Sequence, residues 1–117
     1  STLGGQAVAI AERYLGVPYV WGGASPSGFD CSGLVMYVYA QLGVSLPHNA
    51  AAQYLSLPHV SESDLQPGDL VFFDGLNHVG IYIGGGSIIH APHTGTVVQI
   101  SSLSGGGSYY GAARVPG

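Results

Sequence analysis

The chain has 117 residues and a formal net charge of −4, with six acids against two cations, Arg13 and Arg114, and no lysine. It therefore has almost nothing with which to displace the counterions of a nucleic acid or to hold a polybasic tether on a membrane, and neither is expected as a partner. Eight Tyr, three Phe and one Trp within a 46% hydrophobic composition exclude intrinsic disorder and fit a single domain over 1–117. The longest apolar stretch, residues 33–44, contains Gln41. It falls well short of the roughly twenty residues of a membrane span. Residues 1–6 lack the basic and apolar regions of a signal peptide. Composition leaves open a cytoplasmic protein or a processed or excised piece of a longer one.

In chain order, Ala7, Ile10, Ala11 and Tyr14 recur at helical spacing, and Gly16 and Pro18 end that helix. Residues 16–29 are rich in Gly, Pro and Ser and read as a loop. A second helix is expected from Asp30–Cys31 to about Leu42, with Asp30 as N-cap and Leu34, Val35, Val38, Tyr39 and Leu42 as its buried stripe. Pro47 begins a connecting segment with a helical turn across Ala50 to Leu55, and Ser61 to Asp64 starts another short turn. From Leu70 the period changes to two. Leu70–Phe73, His78–Ile83, Ser87–Ala91, Thr96–Ile100 and Tyr110–Val115 are the strand candidates. Short Gly-rich connections imply an antiparallel sheet, and helices followed by strands make an α+β fold.

The single cysteine, Cys31, rules out an internal disulfide. A lone Cys is commonly a small buried apolar side chain. Here it falls at a predicted helix N-terminus, where the helix dipole favours a thiolate. Asp30 opposes that effect, so a nucleophilic role requires a partner base, and histidine is the usual one. Of five histidines, His78 and His90 are the informative pair. If the hairpin around residues 84–86 closes with Gly80 opposite His90, the two share one sheet face as diagonal neighbours, roughly 7–8 Å apart by Cα. A one-residue slip would put them on opposite faces. One imidazole could then serve the thiol as base while the other holds its tautomer. His93 is the competitor for that second position, and His59 is expected to be exposed. One Cys and two His also make an incomplete zinc set without close-spaced pairs.

Four blocks carry a resemblance. The first joins Pro18 to Gly23 (PYVWGG) with Phe29 to Val35 (FDCSGLV); the others are Leu65 to Phe73 (LQPGDLVFF), His78 to Gly84 (HVGIYIG) and Ile89 to Pro92 (IHAP). In order and spacing, over about residues 4–115, the chain resembles the NlpC/P60 family of papain-like cell-wall peptidases. The resemblance implies a papain-like α+β fold, with N-terminal helices packed on a five- to six-stranded, mainly antiparallel sheet. It implies hydrolysis of peptidoglycan stem peptides, between D-glutamate and the diamino acid, through a thioester acyl-enzyme. Cys31 would be the nucleophile, His78 the general base, His90 its orienting partner and Tyr19 an aid to the oxyanion. Asp30 and Ser32 would recognise polar groups of the stem peptide. Trp21 reads as a loop anchor or as a substrate platform. His48 and Asn49 stand where the family commonly has Arg and a hydroxyl residue, near the substrate groove. No metal or other cofactor is implied. The expected setting is outside a bacterial cytoplasm, in the wall or periplasm, and the expected state is a monomer. Two rival readings accompany this one: a catalytically idle peptidoglycan-binding module, and a papain-like amidase or acyltransferase on another amide.

Overall fold

The computed structural model describes residues 2–117. Helix α1 (Leu3–Glu12) is capped by the Thr2 hydroxyl, which accepts from the Gly5 N–H, and buries Ala7, Ile10 and Ala11. It stops before Tyr14, which is reached only by a following turn. The loop expected over 16–29 contains a small hairpin, β1 (Ala24–Ser25) with β2 (Gly28–Phe29). Helix α2 (Cys31–Ala40) starts at Asp30 as expected and ends before the predicted Leu42, with a turn over 41–43. Helix α3 (Ala50–Leu55) is capped by Asn49, whose Oδ1 accepts from the Ala52 N–H at 2.8 Å.

The main sheet has six strands, all antiparallel, in the order β3-β8-β4-β5-β6-β7. Strands β4 (Leu70–Phe73), β5 (His78–Gly84) and β6 (Ser87–His90) lie close to their predicted places. Strand β7 is Gln99–Ser102, shifted past the predicted Thr96–Ile100, because residues 93–96 are tied into a turn by Thr96 N–H to His93 O. Strand β8 is Tyr109–Ala113. Strand β3 (His59–Val60) is two residues long and was invisible to periodicity. It pairs with Ala112 and Ala113, and its His59 ring stacks on Tyr54 at 3.8 Å while staying exposed.

Alternation along the strands divides the interior in two. The larger cluster joins α1 and α2 to Leu70, Phe72, Val79, Ile81, Ile89 and Ala113. The smaller, formed by Val71, Phe73 and Ile88, lies on the other face, where Leu103 of a 3-10 turn packs on it. Arg114 clamps the buried Asp69 with two bonds of 2.8 Å and adds one to the Asp64 carbonyl, so the acid that opens β4 is not left uncompensated.

Candidate active site

The N-terminus of α2 is built by its neighbours. Asp30 Oδ1 accepts from the Gly33 N–H at 2.6 Å, and its own N–H donates to Gly23 O at 2.9 Å. The Gly22–Gly23 turn thus lies directly on the first helical turn. Gln53, fully buried, donates through Nε2 to Ser32 O at 3.0 Å and Pro47 O at 2.8 Å, joining that turn to the segment before α3. This brings His48 Nε2 to 2.7 Å from Asp30 Oδ1.

The hairpin β5–β6 pairs Ile81 with Ile89 and Tyr82 with Ile88. Continued by one step, this register sets Gly80 opposite His90. A Cβ on Gly80 would come within 3.2 Å of the His90 Cβ, a tight contact that the neighbouring side chains would have to relieve by a few tenths of an ångström. His78 and His90 therefore share a face. His78 Nε2 and His90 Nδ1 are 2.8 Å apart, and His90 Nε2 is 2.8 Å from Ser101 Oγ. His93 lines the rim of the same cavity but is exposed, and its Nδ1 bonds the Thr94 carbonyl instead of His78.

A cavity of about 400 Å³ is lined by Tyr19, Cys31, His78, His90, Asp74 and Gln99. A second, of about 300 Å³, is lined by Tyr19, Trp21, Asp30, Ser32, His48 and Asn49, and also reaches Cys31. Cys31, Tyr19 and Asn77 belong to both, so the two form arms of one groove that meet at the thiol. Every sequence-predicted site residue lines this groove. Trp21 is 87% exposed, which overturns its reading as a loop anchor. Sequence reasoning missed Asp74, Asn77, Gln99 and Ser101. The turn carrying Asp74 and Leu76 holds both at positive φ, 56° and 75°, and is pinned by Asp74 to the backbone of Ser108. Among the described residues no group of three or more His, Cys, Asp or Glu could hold a metal ion.

Burial dominates the electrostatics. It pushes the Cys31 thiol above its ordinary 9.0, with the Val79 N–H pulling it down and the Asp30 carboxylate adding to the rise. Burial also lowers His78 below 6.5, against the pull of Asp74 and with help from His93. His90, 2% exposed, is pushed down to about 4 by burial, then by His78 and His93. Tyr19 is raised by burial and by the Cys31 and Asp30 charges, which keeps its phenol protonated. At neutral pH the site thus holds a thiol and neutral imidazoles, so the thiol needs a base to react.

The His90 shift has a consequence for stability. As pH falls, the unfolded chain's imidazole takes up a proton near 6.5 while the buried one resists until about 4, and the difference favours the unfolded state. The buried ring's stabilising contribution is complete above pH 6.5 and is lost as pH falls toward about 4. The loss should amount to about 3 kcal/mol. Thermal melts from pH 7 to 4 should show wild type losing stability across that window and His90→Asn losing much less; parallel curves would contradict it.

The match to a sequence model of a known family covers residues 16–115, most of the chain, and the model is described as the NlpC/P60 family. The chain belongs to the NlpC/P60 family. Relatives with this domain include "Probable endopeptidase p60" of Listeria seeligeri, 50% identical over 105 residues, which cover 87% of this chain and 20% of that protein. A "Probable endopeptidase" of Mycobacterium tuberculosis is 44% identical over 115 residues, 95% of this chain and 30% of that protein. The chain thus spans a fifth to a third of the length of these two NlpC/P60 relatives. Among solved structures, the NlpC/p60 domain of the peptidoglycan hydrolase SagA superposes with a TM-score of 0.88 at 40% identity, covering 96% of this chain and 98% of that one. NlpC2 from Trichomonas vaginalis gives 0.90 at 30% identity, covering 97% and 46%. The α+β fold expected from the sequence, N-terminal helices on a five- to six-stranded, mainly antiparallel sheet, is found here as three helices with a six-stranded antiparallel sheet, and it is the fold of the NlpC/P60 structures.

Proposed function

We propose that this NlpC/P60 chain is a cysteine endopeptidase that hydrolyses peptidoglycan stem peptides at the D-glutamyl–diamino acid bond, outside the cytoplasm and as a monomer. The observation that carries the reading is the meeting, in one groove, of a thiol at a helix N-terminus with an imidazole pair bonded at 2.8 Å. Cys31 Sγ attacks the scissile carbonyl carbon. Its proton passes to His78 at Nδ1, the nitrogen that His90 leaves free. Collapse of the tetrahedral intermediate expels the amine, which takes that proton from His78, and leaves a thioester on Cys31. Water, deprotonated by His78, then releases the carboxylate and restores the thiol. The Tyr19 hydroxyl and the Cys31 N–H donate to the developing oxyanion.

The same chemistry orients the substrate. The leaving nitrogen must reach His78, and His78 and His90 line only the larger arm. The acyl half therefore occupies the smaller arm, where Asp30 and Ser32 meet its polar groups, His48 and Asn49 border it and the exposed Trp21 offers a flat apolar surface.

The test is digestion of purified muropeptides with products identified by mass spectrometry. The expected product is a new amino terminus on the diamino acid, with one water added. A cut at a different amide would overturn the bond assignment. Fragments bound but left intact would overturn the peptidase reading and favour a binding module.

A further inference from the structure

The hydrogen bonds around His78 form a chain with two possible proton orders. Each neutral imidazole carries one N–H. In the first order His78 Nε2–H donates to His90 Nδ1, and His90 Nε2–H donates to Ser101 Oγ. His78 Nδ1 is then bare and can take a proton from the thiol. In the second order every proton is reversed: the Ser101 hydroxyl donates to His90, His90 Nδ1–H donates to His78, and His78 presents an N–H to the groove. That arrangement cannot act as a base. The two contacts of 2.8 Å fit either order, and the orders differ at Ser101 in whether its Oγ accepts or donates.

We propose that Ser101 is a positioning residue whose Oγ accepts the His90 Nε2–H and so holds His78 with its Nδ1 lone pair toward Cys31. Three observations support it. His90 is almost wholly buried, so a proton on its Nε2 has Ser101 as its acceptor instead of bulk water. Gln99, directly opposite His90 on β7, also donates to Ser101 Oγ, at 3.5 Å, which marks that oxygen as the meeting point of donors. Finally, neutral histidine in water prefers the Nε2–H tautomer, and the first order places both rings in it.

The inference rests on the assignment of Cys31 and His78 above. Titratable neighbours of the pair are Asp74 on the β4–β5 turn, His93 after β6, and Cys31 and Tyr19 across the groove. The experiment compares kcat, KM and pH profiles of wild type with Ser101→Ala, Ser101→Thr and Ser101→Asp on one stem peptide, with Cys31→Ala as control. Imidazole nitrogen chemical shifts by NMR report the tautomers directly. Ser101→Ala should lower kcat about 10-fold with KM little changed, the effect of one lost neutral hydrogen bond in the transition state. Thr, which keeps the oxygen, should restore it. Asp, which only accepts when ionised, should stabilise the protonated imidazole and move the acid limb to higher pH. Wild type should show Nε2–H on both rings, and Ser101→Ala a mixture. Nδ1–H on His90 in wild type, or an unchanged rate and tautomer state in Ser101→Ala, overturns the proposal. Full turnover by Cys31→Ala would instead overturn the parent mechanism.

Discussion

Cys31→Ala should abolish turnover of stem peptides, by at least about four orders of magnitude in kcat, while leaving the fold intact. Cys31 is partly buried at the start of α2, and Ala removes a single sulfur from a position where the cap, Asp30, acts through its own side chain and backbone. Stability should therefore change by no more than about 1 kcal/mol. His78→Ala should be nearly as damaging, because the thiol is held protonated by burial and has no other base in the groove placed as His78 is. His90→Ala should cost less, since water can occupy part of the ring's place. The ranking is read from single-turnover rates, with circular dichroism as the check on folding. Cys31→Ala with a rate close to wild type would exclude covalent catalysis at this residue.

Gly33→Ala should unfold or derange the site, although the same change at an exposed helix position stabilises a protein by about 0.4–1 kcal/mol. A Cβ at residue 33 would overlap the Gly23 carbonyl oxygen and stand 2.7 Å from Asp30 Oδ1. Neither neighbour can yield cheaply. Gly23 O already accepts the Asp30 N–H at 2.9 Å, and Asp30 Oδ1 accepts the Gly33 N–H itself and faces His48. Relief requires α2 to move away from the Gly22–Gly23 turn, carrying Cys31 with it. The expected stability loss is about 2–3 kcal/mol. A displacement near 1 Å should also lower activity about 100-fold. Urea melts and peptide turnover measure the two effects; a gain in stability would show that the turn and the helix are not in hard contact.

Much of this arrangement is legible in local chemistry. Asp30 announces a helix start because its side chain caps the N–H three residues on, and the structure uses it so. The strands β4 to β6 announce themselves as short runs of β-branched and aromatic residues bounded by turn residues, and alternate side chains enter two clusters that are both buried. The even spacing between His78 and His90 puts them on one face once the hairpin register is known, and no local rule sets that register unaided.

Other features have no local signal. Strand β3 is two residues long and exists because Ala112 and Ala113 offer it an edge. Strand β7 begins at Gln99, after the turn over 93–96, so Ser101 lay outside the predicted strand and its bond to His90 could not be foreseen. Asp74 and Asn77 reach the groove from a turn held at positive φ by Ser108, a residue 34 positions away. Trp21 has the composition of an anchor, yet no element lies where it could be buried. By itself the sequence determined most of the elements and the family, and it singled out Cys31, His78 and His90 as candidates, since these follow from short-range periodicity, capping and motif spacing. Only the tertiary structure decided the protonation states, the two arms of the groove and the serine at the end of the imidazole chain. Burial and hydrogen bonding between distant segments are properties of packing, and no stretch of chain carries them alone.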